Sequence, residues 1–189
     1  ALGPAPTLAA AAPAPGFDPR LQAEMERLFA LRTSDPPAFV AQTRSLEALP
    51  APASQAQRDF LRLLQANREA LQGRLGQAAV LATPLADHAE DPRLRLRAGA
   101  FVVNMLAGTR DFEEGLRRLA QLLQAHAAPE PALLDEQRIL WATASVIYHE
   151  VGEHAISVAY ADRALSAQPT PREACGIGTY KAMARLSLR

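Results

Sequence analysis

The chain has 189 residues, enough for one domain with a sizeable core or for a short repeat array. Hydrophobic residues make up 49% and aromatics only 5%, a balance that favours helices packed through small-and-large contacts over sheets. The 20 basic and 20 acidic residues cancel, which excludes bulk electrostatic attraction to nucleic acid or an anionic membrane.

Residues 1–16 are almost wholly Ala and Pro, including Pro4, Pro6, Pro13 and Pro15. Such a stretch lacks the large side chains of a core and is expected to be an extended or disordered tail or linker. It is not an intact signal peptide, and it suits either the start left by signal cleavage or a linker. The missing initiator Met implies removal of something upstream. Residues 17–189 then read as helix, turn, helix, repeated. Asp18-Pro19 opens the first helix, to about Thr33, with Leu21, Met25, Leu28 and Leu31 on one face. Asp35-Pro36 opens a second through Phe39, Val40 and Leu46, ending before Pro50. Ser54 is the expected cap of a third, with Phe60, Leu63, Leu64 and Leu71 sharing a face until Gly73. A fourth runs from Leu75 to Ala89, with Pro84 expected to kink it.

Asp91-Pro92 starts a fifth helix that stops near Gly108. Its opening, Arg93-Leu94-Arg95-Leu96-Arg97, alternates like a strand, but the start signal and the following period favour helix. Asp111 caps a sixth, through Phe112, Leu116, Leu119, Leu122 and Leu123. Glu130 to Val151 forms a seventh, Glu153 to Gln168 its partner, and Thr170-Pro171 opens the last, which ends at Leu186-Ser187-Leu188-Arg189 without a cap. Short links force successive helices antiparallel, giving about four hairpins plus a terminal helix.

The seventh helix and its partner carry the most specific pattern. Trp141 and Tyr148 lie seven apart on one helical face with the small pair Ala144 and Ser145 between them. Gly152 supplies the break, and Ala164 and Pro169 follow. This resembles the tetratricopeptide repeat (TPR), with its Trp-x2-Leu-Gly-x2-Tyr helix, small residues on the second helix and a closing Pro. Ala144, Ser145, Ser157 and Ala161 depart from the family pattern, and Ala161 leaves a space that another side chain must fill. An ordinary helical hairpin with an aromatic stripe would use the same residues. Asp111-Phe112 and Gly115-Leu116 echo the second repeat helix more faintly. The expected fold is therefore all-α, antiparallel hairpins stacked as a short TPR-like α-solenoid.

The resemblance implies that the first helix of each hairpin lines a concave groove. The groove positions then fall on Ile139, Ala142, Val146, His149 and Glu150, and on Arg97, Ala100, Asn104 and Ala107. Asn104 could hold a partner's backbone and Arg97 could pair with a carboxylate. Asn67 is a candidate repeat of the Asn104 position, and each of these residues reads equally as solvated surface. The family's clamp for peptide C-terminal carboxylates needs basic residues that Ile139 and Ala142 do not supply.

Other candidate sites have plainer readings. His149 and His154 are five apart, not the four that a helical metal pair needs, and read as solvent-facing turn residues. His88 and His126 lie at helix ends, where the dipole favours an imidazolium. Glu113 and Glu114 suit the first turn of a helix. Cys175 reads as a small residue in a helix seam. With one cysteine, neither an intrachain disulfide nor an all-Cys metal site is open to the chain. There is no Gly-rich phosphate loop and no nucleophile elbow. No catalytic residue, cofactor or metal is assigned, and no run of apolar residues is long enough for membrane insertion.

The sequence thus points to a non-catalytic module that binds a protein or peptide segment. An alternative is a sensory input region that binds a small ligand or forms a homodimer. The Ala/Pro-rich start, degenerate repeats and uncapped last helix also resemble extracytoplasmic regions that precede a membrane span and a GGDEF diguanylate cyclase domain. That resemblance, with Arg-rich, Lys-poor usage typical of high-GC bacteria, implies a bacterial and periplasmic setting.

Overall fold

The structure, a computed structural model, describes residues 16–188. Nine helices follow in order: α1 (Pro19–Ser34), α2 (Pro36–Glu47), α3 (Gln55–Leu71), α4 (Leu75–His88), α5 (Pro92–Gly108), α6 (Phe112–Ala125), α7 (Leu134–Glu150), α8 (His154–Ser166) and α9 (Pro171–Ser187). There is no strand among the described residues. The Ala/Pro-rich tail expected at residues 1–16 lies outside them, except for Gly16.

Local chemistry sets the helix starts. Asp18, Asp35 and Asp91 each precede a proline whose missing N–H costs nothing at that position, and each carboxylate accepts a backbone N–H of the first turn. Asp111 does the same at 3.4 Å from Glu114 N, and Thr170 with Glu173 forms a reciprocal capping box. Gly73 and Gly152 close α3 and α7 with φ of 79° and 84°, where a side chain would be strained.

Each helix packs on the next, and α1 on α3, α3 on α5, α5 on α7 and α7 on α9 as well. The odd-numbered helices thus form an inner row, with the even-numbered ones outside. Three larger cores succeed one another along this array, with a small cluster of Ala66, Ala82 and Val102 joining α3, α4 and α5. Met25, Leu28, Phe39, Phe60, Leu63, Leu64 and Leu85 fill the first. Leu96, Val103, Leu119, Leu140 and Ile147 fill the second. In the third, Trp141 is 2% exposed among Ala161, Ala164, Ala167 and Ile177. The indole itself occupies the space beside Ala161. Small residues let α7 and α8 approach, and Ser157 Oγ donates to the Ser145 carbonyl at 2.7 Å. Tyr148 stacks on Tyr160, with centroids 5.7 Å apart.

The strand-like alternation at the start of α5 has a helical explanation. Two residues along a helix turn it by roughly 200°, so alternate leucines face opposite flanks. Leu94 enters the first core and Leu96 the second. A helix buried on both flanks can therefore look like a strand.

Several expectations need correction. The stretch from Glu130 to Val151 is not one helix: a 3-10 turn at Pro131–Leu133 precedes α7. Buried Gln137 bonds both the Ala128 carbonyl (2.8 Å) and the Glu130 N–H (2.9 Å), pinning the chain extended just before that turn. Gln57 clamps both backbone groups of Asp18 in the same way. Ser54 stands at the N-cap of α3 without a capping bond, its hydroxyl buried and unpartnered. Arg58 instead ties that corner to the carbonyls of Pro52 and Ala53. Cys175 is exposed on α9, not in a seam.

One ion cluster makes the α3–α4 turn acid-sensitive. Hydrogen bonds from Arg74 foremost, then Arg68, hold the Glu69 carboxylate down to about 2 from 4.5, against the upward push of burial. A depressed carboxylate stabilises the fold fully above its unfolded value and loses that contribution as pH falls through its folded one. Urea midpoints should therefore drop between about pH 4.5 and 2, and Glu69→Gln should flatten that part of the profile. An unchanged slope in the variant would assign the acid loss elsewhere.

Candidate functional site

The inner helices enclose a concave pocket of about 630 Å³. Its floor is apolar, with Ile139, Ala142 and Val146 from α7 and Ile177 from α9. The end of α1 forms one wall, through Phe29, Arg32 and Thr33, and Thr170, Arg172 and Tyr180 stand on the other side. The first and last helices thus border the same space. A smaller cavity, lined by Leu63, Asn67, Phe101 and Met105, shares Phe29, Arg32, Arg97, Asn104 and Ile139 with the first.

Of the residues assigned to the groove, Arg97, Asn104 and Val146 line the pocket. Arg97 is nevertheless occupied. Its guanidinium bonds Glu136 at 2.9–3.0 Å and Glu26 at 3.0–3.2 Å. The Glu136 side chain is 0% exposed, and Arg93 reaches it too, at 3.4 Å. Arg97 is therefore a tie between α1, α5 and α7, and not a free partner for an incoming carboxylate.

Asn104 donates its amide to the Ala100 carbonyl (3.2 Å) and to Thr143 Oγ1 (3.0 Å). Because a carbonyl takes the amide nitrogen, the side-chain oxygen is the atom left for a ligand. Asn67 repeats this one helix away, bonding the Leu63 carbonyl at 2.8 Å. Ala100 and Ala107, which the TPR resemblance assigned to the groove, pack into the second core instead. His149 is half-buried beside His154, centroids 5.1 Å apart, and meets Tyr180 edge-on at 6.0 Å. It sits next to the pocket wall, and Glu150 is exposed outside the lining. The two imidazoles pack against each other across the Gly152 turn, where a purely solvent-facing pair was expected.

His126 caps the end of α6 and contacts Glu130 at 3.2 Å, and His88 ends α4. Among the described residues no group of three or more His, Cys, Asp or Glu is arranged to hold a metal ion. None of the described helices is long and apolar enough to cross a membrane.

Sequence reasoning missed Arg32. Its guanidinium lies 3.7 Å from the Phe29 ring centroid and spends one N–H on the Phe29 carbonyl, at 2.8 Å. No carboxylate among the described residues pairs with it. Burial first, and the neighbouring Arg97 second, push it down to about 10 from 12.5, with Glu173 pulling the other way. The other inward guanidinium, Arg138, is matched by Asp135 at 2.7 Å and Glu173 at 3.3 Å. No motif marks Arg32, because its distinction is the lack of a partner in three dimensions.

Comparison with protein-family models, with curated proteins and with solved structures finds no match to the chain.

Proposed function

We propose that this chain is a non-catalytic, TPR-like binding module whose concave pocket receives a peptide segment of a partner protein. The observation that carries the reading is the pocket itself: an apolar floor edged by the amide oxygen of Asn104 and by the Arg32 guanidinium, which no carboxylate among the described residues pairs. Its volume falls in the range of specific ligand sites, and few but well-placed polar groups over an apolar base suit selective binding. The helical-repeat architecture and the Trp141 pattern support the same reading.

The test is a selection of displayed peptides on the immobilised chain, repeated with Ala142→Phe and Val146→Phe, which fill the floor. Selected peptides should lose at least about tenfold in affinity for the filled variants, the equivalent of about 1.4 kcal/mol. Capture that survives in both variants would move binding away from this pocket.

A second reading is a sensory input region of a bacterial signalling protein, in a periplasmic setting. It is favoured by one observation, that α1 and α9 border a single pocket. An occupant touching both would couple its own binding to the spacing of the array's ends.

A further inference from the structure

We propose that the Arg32 end of the pocket takes a side-chain carboxylate, Asp or Glu, from within an extended peptide whose adjoining apolar residue lies on the Ile139, Ala142, Val146 and Ile177 floor. This deepens the peptide-binding reading and rests on it.

Charge complementarity singles out Arg32. Arg97 is held by Glu26 and Glu136, and Arg138 by Asp135 and Glu173. Arg172 is exposed at the rim. Arg32 is a half-buried cation lining the cavity that donates to one carbonyl and is ion-paired to no carboxylate, the nearby Glu173 being engaged by Arg138. Stacking on Phe29 fixes the plane of the guanidinium, which presents its fork to a planar carboxylate without further ordering. An arriving anion would also offset the repulsion between Arg32 and Arg97, whose guanidiniums lie 3.7 and 4.9 Å from the centroid of the same ring.

Two further observations select a peptide, with its acid internal. Asn104 offers an acceptor, because its N–H donors are used by Ala100 and Thr143. A backbone N–H satisfies that oxygen, whereas a simple carboxylate ion such as acetate only accepts and brings no such donor. Arg32 also borders both cavities, so a chain can run past it on either side and need not end there.

The probe is a bead library of octapeptides, acetylated and amidated at their termini so that only side chains carry a carboxylate. Fluorescence polarisation then compares the best binder with its Glu→Gln or Asp→Asn counterpart on the native chain, Arg32→Gln, Arg32→Lys and Arg172→Gln. On the native chain the amide counterpart should bind about tenfold or more weakly. That gap should vanish with Arg32→Gln, shrink with Arg32→Lys and persist with Arg172→Gln. Circular dichroism checks that each variant folds, and the peptide substitution tests the preference without any change to the protein. Binders without an acidic preference, or a gap that survives Arg32→Gln, would overturn the assignment. If those binders are still displaced by Ala142→Phe, the pocket reading stands alone. If no peptide is captured at all, both fall.

Discussion

Arg97→Ala should destabilise the fold by about 3–5 kcal/mol, because it strands a carboxylate that has no other full partner. Glu136 is wholly buried, its second oxygen already unpartnered, and Arg93 reaches it only at 3.4 Å. The loss should appear as a lower urea midpoint with little change in slope. Removing both charges is expected to be far milder. Arg97→Met with Glu136→Leu replaces a costly buried pair by side chains of similar size, and should recover most of the loss. Equal damage from the single and double replacements would show that Arg97 matters through its packing on Phe29 and Phe60, and not through the pair. A charge reversal at Arg97 therefore reports on folding before it reports on any ligand.

Trp141→Ala should cost a comparable amount, about 3–5 kcal/mol. Three of its four buried partners are Ala161, Ala164 and Ala167, whose methyls are too short to fill the void, and Ile177 is the fourth. Trp141→Phe should be much gentler than a loss of ring area suggests. The indole N–H is buried without an acceptor, and its removal lifts a desolvation cost of about 1–3 kcal/mol. Arg163 lies 4.3 Å from the ring centroid and can remain over a phenyl. Thermal unfolding of the two variants separates these contributions. If phenylalanine proved as damaging as alanine, the buried N–H would have a partner that the structure lacks.

The helices were legible in the sequence wherever their ends are governed locally. Asp-Pro and Thr-Pro starts at residues 18, 35, 91 and 170 each open a helix, since capping and proline geometry need no distant partner. Boundaries failed where tertiary contacts decide them. Gln137 reaches back to Ala128 and Glu130 ahead of α7, and that contact leaves no trace in periodicity. The groove positions depend on tertiary packing in the same way. Helical spacing alone cannot tell that Arg97, Asn104 and Val146 line a pocket while Ala100 turns into the core. Nor can it find Glu26, 71 residues from Arg97, or show that Arg32 has been left without an acid.

Most of the packing joins helices that are neighbours, or next neighbours, along the chain. Such a molecule has little long-distance topology to search, so assembly can begin at any hairpin and spread in both directions. The Glu26 bond to Arg97 is an exception, spanning two hairpins at once. It can close only after the intervening helices have docked in register, which makes it a late lock on the zipped array and the first link to open when the amino-terminal end frays.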